Sequence, residues 1–248
     1  MTYTPSREQL KNSIRKNFKA IESDQNKGIP MPAFEVRKSE SELISLPDPK
    51  SISLQDINPL EFLTERSSIR KFSDKELTLE ELSFLLFATQ GVRKDHPQRP
   101  LRTVPSAGNR HPFETYLAVF HVEGLKEGIY HYLPFTHALE YLGSPEDLSE
   151  KVSDASMKQG FVGKSAVTFF WSVIPYRTEW RYLEGSYKVL TVDVGHLCQN
   201  LYFGCFCLGA STCAICAYDQ DLSDELLGLD GDEEFVIYLA PVGFKYNE

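Results

Sequence analysis

Val104-Pro105-Ser106-Ala107-Gly108-Asn109-Arg110-His111-Pro112, running into Phe113-Glu114-Thr115-Tyr116-Leu117-Ala118-Val119-Phe120, is the stretch from which the fold is read. Two prolines fix φ and reject helix for the residues before them. Gly108 and Asn109 accept left-handed backbone angles at little cost. The segment between the prolines is therefore stiff, irregular and rich in small side chains with free N–H groups, so a flat or anionic ligand can approach the main chain. The plainer reading is a turn that feeds a strand. That strand is predicted over 113–122, and two more over 129–133 and 138–142, joined by turns at 124–128 and 134–136.

The remaining elements are read outward from that strand. Asn58-Pro59-Leu60-Glu61 combines a cap, a first-turn proline and an acidic third position, which predicts a helix over 59–65. Thr78 and Glu81 form a second capping pattern, and Leu79, Leu82, Leu85 and Leu86 share a face of the helix that ends near Gly91. Residues 92–103 read as a basic, polar loop. A helix is predicted over 145–157 from Ser144-Pro145, and a buried strand over 166–174. The longest helix is predicted over 183–208 and stopped by Gly209; it is apolar almost all round, so it should be buried, against the body or a second subunit. A short extended segment at 211–218, a helix near 222–227 and a strand over 235–242 complete the chain. Strands and helices alternate irregularly, with hairpins, which predicts an α+β fold.

Residues 1–57 are polar and irregular, with a short basic helix predicted over 6–20 and prolines at 30, 32, 47 and 49. They read as an extended arm, disordered or wrapped over a body formed by 58–248. With 248 residues, 42% of them hydrophobic and a net charge of −9, the chain can bury a large core and is not built for non-specific binding to nucleic acid or anionic membrane. No apolar run approaches the ~20 residues of a membrane span. No signal-peptide core opens the chain, and the odd set of cysteines is confined to 198–216, so a cytoplasmic protein without a disulfide framework is expected.

Several segments carry chemistry. Arg66-Ser67-Ser68-Ile69-Arg70 places two guanidiniums and two hydroxyls at a helix end, either a phosphate cradle or a solvated basic turn. No Gly-x-Gly-x-x-Gly and no Gly-x-x-x-x-Gly-Lys-Ser/Thr occurs, which disfavours a dinucleotide-binding Rossmann domain and a P-loop. Cys213-Ala214-Ile215-Cys216 lacks further ligands at zinc spacing and a helix behind it to activate a dithiol, so its thiols read as mostly buried and coincidental. No metal site is expected. His196 reads as a satisfied interior side chain, whereas His111 lies in the opening loop, within reach of a ligand.

Three segments, in order, resemble the nitroreductase superfamily of FMN enzymes and its SagB-type, azoline oxidase-like dehydrogenase branch. They are Arg66-Ser67-Ser68-Ile69-Arg70-Lys71-Phe72 with Leu77-Thr78-Leu79-Glu80-Glu81-Leu82; Arg102 through Tyr116 with Gly128-Ile129-Tyr130-His131-Tyr132; and Leu208-Gly209-Ala210-Ser211-Thr212-Cys213-Ala214-Ile215 ending in Pro241-Val242-Gly243. The resemblance covers residues 58–243. It implies an α+β sandwich whose central, mostly antiparallel sheet is flanked by helices, and a homodimer with the long buried helix at its interface and FMN bound there. Arg66, Ser67, Ser68 and Arg70 would hold the FMN phosphate. Pro105, Ser106, Ala107, Gly108 and Asn109 would line the flavin, from the partner subunit. Ala214, Ile215, Cys216 and Ala217 would pass its N5/O4 edge, and Lys245 would replace later basic phosphate contacts.

The implied activity is that of an FMN-dependent oxidoreductase passing hydride or electrons through flavin N5, either in NAD(P)H-dependent reduction of a nitro- or quinone-type acceptor or in dehydrogenation of a small molecule or peptide. Azoline oxidases carry a Lys-Tyr pair where Arg181-Tyr182 stand; arginine is no base near neutral pH, so Tyr182 keeps the proton-transfer role. Arg110 and His111 are left to meet the substrate. The competing reading is a non-catalytic flavin-binding or scaffold subunit of a peptide-modifying complex.

Overall fold

A computed structural model describes residues 10–11 and 22–246. Apart from Leu10 and Lys11, the helix expected over 6–20 lies outside the described residues. A seven-stranded sheet forms the centre, in the order β1 (Ile44–Ser45), β6 (Ala138–Gly143), β5 (Gly128–Leu133), β4 (Phe113–Val119), β7 (Val167–Val173), β9 (Phe235–Phe244) and β8 (Ala210–Thr212). Every pairing within it is antiparallel. This is the α+β sandwich expected.

Side chains alternate across a strand, so each strand feeds two cores. Leu117, Val119, Phe169, Trp171 and Val242 face one side. There they meet Leu82, Leu85 and Leu86 of α2 (Leu79–Gln90) and Leu190, Val194, Leu197 and Leu201 of α5 (Ser186–Leu208). Tyr116, Ala118, Phe170 and Leu239 face the other, against Leu148 and Val152 of α3 (Leu148–Ala155) and Leu227 of α6 (Gln220–Leu227). Each such leucine contributes about 1.5–3 kcal/mol on burial. Gly204 lets α5 approach α2: a Cβ there would lie 3.0 Å from Leu85 Cδ2.

Helix ends follow local chemistry where a cap exists. Asn58 accepts the N–H of Leu60 and starts α1 (Pro59–Glu65) at the predicted residue. Thr78 and Glu81 form a reciprocal capping box on α2, and Gly209 closes α5 at φ 67°. Other elements differ from expectation. The first strand stops at Val119 rather than 122, and α3 begins three residues late because Asp147 turns the chain with φ 54°. The 92–103 loop contains a hairpin of β2 (Val92–Lys94) and β3 (Leu101–Arg102). The region 183–208 is not one helix: Leu183, at φ 49°, separates an unforeseen α4 (Tyr176–Tyr182) from a 3₁₀ turn and then α5. Only 210–212 of the segment after it is strand, with Ile215 bridging to Leu239.

Residues 22–57 run across the body. Trp180 Nε1–H donates to the carbonyl of Ile29, Arg102 Nη2–H to that of Phe34, and β1 adds an edge to the sheet beside β6. Among the described residues no helix is long and apolar enough to cross a membrane. Nor is α5 buried all round: Tyr187, Val192 and Phe203 are exposed, the latter two along one side, as are Leu60 and Leu63 of α1.

Candidate functional site

Two patches flank α5. The first is a cleft of about 240 Å³ whose lining includes Arg66, Ser67, Tyr202, Ser211, Thr212 and Lys245. The 66–70 segment leaves α1 in extended form, and Ile69 N–H donates to the carbonyl of Thr212, which lays the segment along β8. Tyr202 is the pin. Its hydroxyl lies 2.8 Å from Ser68 Oγ and accepts the N–H of Ala214 at 2.9 Å, and the Arg66 guanidinium sits 5.0 Å from its ring centroid. One side chain thus ties the start of the predicted cradle to the start of 214–217. Asp56, Glu61 and Glu65 also line the cleft, but all three are exposed and solvent screens them. Ser68 and Arg70 do not line it, and both are exposed beside it.

The donor set suits a phosphate monoester. Arg66 and Lys245 supply charge, Ser67 and Ser211 supply hydroxyls, and Gly209 and Ala210 leave the floor open to backbone contact, while the Thr212 hydroxyl is spent on the carbonyl of Pro241. Cys213 is buried, but Cys216 is exposed, against the expectation of buried thiols. Burial raises the pKa of both, although a hydrogen bond from Tyr238 opposes it at Cys216. Neither is an activated thiolate. Ala217 is exposed beside Cys216, while Ile215 is held in the sheet by Leu239.

The second patch is the opening loop. Gly108 and Asn109 adopt the left-handed angles expected, φ 60° and 58°. Asn109 N–H donates to the carbonyl of Ser106, and His111 N–H to Ser106 Oγ at 2.9 Å. Asp193 Oδ2 on α5 accepts the N–H of Ala107 at 2.8 Å, and its carboxylate also takes a hydrogen bond from Ser106. Burial raises the pKa of Asp193, with those bonds opposing it. Pro105 is exposed, and Ser106 through Asn109 are half-buried. One end of the Asn109 amide meets His111 Nε2 at 2.9 Å; the other, Nδ2, is buried without a partner. An orphaned buried donor beside a loop of small residues fits a flat heterocycle with polar edges.

Four predicted residues gather around this loop. A Cβ on Gly108 would lie 2.6 Å from Tyr182 Oη and 3.0 Å from Arg181 Cδ, so both side chains press against its main chain. Arg110 and His111 are buried rather than open to a ligand. Arg110 stacks between Phe34 and Trp180, at 5.5 and 5.0 Å from their ring centroids, and Phe34 meets His111 edge-on. The arm therefore roofs these two residues. Burial and the charge of Arg102 lower the His111 pKa to about 3, so its ring is neutral at physiological pH. His196 is half-buried, and its Nδ1 has no hydrogen-bond partner, so it is not the satisfied interior histidine expected.

Asp193 and Tyr202, which anchor the two patches, are nine residues apart on α5, about two and a half turns. They project from opposite sides of the helix.

The model of the nitroreductase family matches residues 63–244. The chain belongs to the nitroreductase family. It is 33% identical over 202 residues to a nitroreductase-family protein of Methanocaldococcus jannaschii, a match covering 82% of this chain and 96% of that one. It is 27% identical over 133 residues to the trifolitoxin-processing protein TfxB of Rhizobium leguminosarum bv. trifolii, covering 52% of this chain and 36% of TfxB. Among solved structures, a chain of the E. coli microcin synthetase McbBCD complex with truncated pro-MccB17 bound superposes with a TM-score of 0.62 at 21% identity, covering 98% of this chain and 94% of that one. As a nitroreductase-family protein with this fold, the chain has an oxidoreductase architecture.

Tyr202 and Asp193 were not among the residues singled out from sequence. Asp193 had a readable signal, an acidic residue inside an apolar helix. Tyr202 had none, because its partners Ser68 and Ala214 are distant from it in the chain.

Proposed function

We propose that the protein is a cytoplasmic, homodimeric FMN-dependent oxidoreductase related to the SagB-type dehydrogenases. The observation that carries this reading is the placement of the two patches on opposite sides of α5. A cofactor with its phosphate in the Arg66–Lys245 cleft of one chain takes its ring-lining loop, Pro105–Asn109, from the second copy. The exposed Leu60, Leu63, Val192 and Phe203 form the matching apolar face.

When bound, FMN supplies exchange of a hydride or electrons through N5, with NAD(P)H as the reductant and a nitro, quinone, small-molecule or peptide substrate on the other side. The residues of the chain do the rest. Arg66, Ser67, Ser211 and Lys245 bind the phosphate. Residues 214–217 pass the reacting edge; the N–H groups of Ala214 and Ile215 are taken by Tyr202 and Leu239, so those of Cys216 and Ala217 are the donors that would stabilise negative charge on it. Tyr182 holds a proton at its hydroxyl beside Gly108. Arg181, whose guanidinium offers donors and no acceptor, positions rather than abstracts.

The second reading is a flavin-binding scaffold subunit of a peptide-modifying complex, favoured by the likeness to TfxB. Stopped-flow mixing of the FMN-loaded protein with NADH or NADPH, then with a quinone, separates the two. Bleaching of the flavin followed by its return supports the enzyme. A flavin that stays oxidised with both nicotinamides and with peptide substrates supports the scaffold.

A further inference from the structure

Tyr182 and Arg181 press on Gly108 from the end of α4, yet little in α4 itself holds them there. The helix has seven residues and no side-chain cap, and Leu183 breaks it from α5 at φ 49° and ψ −136°. A helix this short does not set its own course. Its buried side chains are Arg177, Thr178 and Trp180, with no aliphatic residue among them. The chain fixes the near end, because Ile174 N–H donates to the carbonyl of Pro112, where the loop ends. Two buried side chains then direct the far end. Trp180 Nε1–H donates to the carbonyl of Ile29 in the arm, and Arg177 Nη2–H donates to Glu114 Oε1 at 2.5 Å. Of the two, only Arg177 reaches the central sheet, and among the described residues this is the one ion pair of α4. Glu114 lies at the start of β4, so the pair joins the strand that the loop feeds to the helix that carries Tyr182. Arg177 and Glu114 are each 2% exposed, and Arg177 Nη1 is buried without a partner. Taking both charges out of water offsets most of their attraction, so the pair adds little net stability. What it fixes is direction, since a guanidinium fork bonds a carboxylate along set lines.

We infer that Arg177 is a positioning residue for Tyr182: through Glu114 it sets how the Tyr182 hydroxyl meets the main chain at Gly108. The assignment rests on the reading that Pro105–Asn109 lines the flavin and that Tyr182 holds a proton beside it. Arg177 acts through Tyr182, so its loss should change where that hydroxyl stands before it changes anything else at the site.

The test places fluorotyrosine at position 182 of the full chain and reads its fluorine resonance, first without FMN. Arg177→Met should move that resonance towards the position of free fluorotyrosine. Val152→Ala, which loosens the core beneath α3, should leave it in place. In the FMN-loaded protein, turnover of NADH with menadione is then compared. Tyr182→Phe should lose about a hundredfold in kcat and Arg177→Met at least about tenfold. The double variant should lose no more than Tyr182→Phe alone, because residues that act as a unit do not multiply their effects. A resonance that stays in place in Arg177→Met overturns the inference, as do losses that multiply in the double variant. Removing one partner of a buried pair destabilises; if Arg177→Met does not fold, Glu114→Gln takes its place, with smaller changes in the same direction. Absence of flavin colour, or undiminished turnover in Tyr182→Phe, overturns the proposed function instead, and the fluorine resonance alone then decides whether Arg177 positions Tyr182.

Discussion

Asp193 Oδ2 accepts the backbone N–H of Ala107 at 2.8 Å, and with the hydrogen bond from Ser106 this carboxylate fastens the 105–109 loop to the longest helix among the described residues. Asp193→Ala leaves a half-buried N–H without its partner and should cost about 1–3 kcal/mol. Asp193→Asn keeps an acceptor and removes the buried charge. The folded-state pKa of Asp193 is raised, so its ionisation weakens the fold as pH rises through that pKa. Asn should therefore equal or exceed the wild type in melting temperature at pH 7. Thermal melts of the two variants check this; an Asn variant as unstable as Ala would contradict it.

His131 is fully buried between Glu114 Oε2 at 3.0 Å and Glu140 Oε1 at 2.7 Å, and Glu114 also meets Arg177. Burial disfavours the imidazolium, but the two carboxylates outweigh it and raise its pKa to about 9. Burial likewise opposes ionisation of the glutamates; Arg177 and His131 hold Glu114 near 2, and His131 with the Lys38 N–H holds Glu140 near 2. The imidazolium contribution is complete below the ordinary histidine pKa of 6.5 and is lost as pH rises towards 9. The carboxylate contributions are complete above the ordinary 4.5 and are lost as pH falls towards 2. The contribution of this cluster should therefore be flat between about pH 4.5 and 6.5 and fall on both sides, while the buried neutral His111 removes stability as pH drops below 6.5; the difference in melting temperature between the wild type and His131→Leu across pH isolates the cluster. His131→Leu removes the cation shared by two buried carboxylates, which keep only Arg177 and Arg37 with nearby N–H groups, and should cost about 3 kcal/mol at pH 6.

Tyr202→Phe removes the hydroxyl shared by Ser68 and Ala214 without changing the packing of α5. The stability loss should be small, about 1 kcal/mol. FMN affinity should fall several-fold more than that of a Tyr218→Phe control, whose hydroxyl bonds Val236 on the other face of the sheet. Fluorescence titration with FMN measures both.

Leu63 is 71% exposed, and Phe203, 43% exposed, packs on the same side through Phe62. Leu63→Arg with Phe203→Glu places charges on the proposed dimer face. Sedimentation should show the double variant as a monomer at concentrations where the wild type is dimeric, and FMN retention should fall with it. A monomeric variant that keeps its flavin would separate cofactor binding from dimerisation.

How far the chain could be read from its residues depended on whether the cause was local. Asn58, the Thr78–Glu81 pair and Gly209 act within one helical turn, and each marks its boundary to the residue. The central strands were legible because 113–119 and 167–173 are β-rich and mostly apolar. Helix α4 was not, because Tyr176–Tyr182 has no cap and is polar; it is fixed by Arg177 reaching Glu114 and Trp180 reaching Ile29. The roof over Arg110 and His111 was equally hidden, since Phe34 meets them from a proline-rich arm without periodicity. The cradle segment was visible as Arg66–Arg70, but not its pin, since Ser68 and Tyr202 are 134 positions apart.

The central claim is that each FMN is shared: its phosphate in the Arg66 cleft of one chain, its ring on the Pro105–Asn109 loop of the other. It is tested most directly by mixing two variants that each fail to hold flavin, Arg66→Ala with Ser67→Ala in one chain and Ala107→Phe in the other. After subunit exchange at equal ratio, half the dimers are mixed and each has one intact site, so bound FMN per chain should return to about a quarter of the wild-type level. If cleft and loop of a single chain served the same cofactor, mixing would restore none, and the account would be wrong.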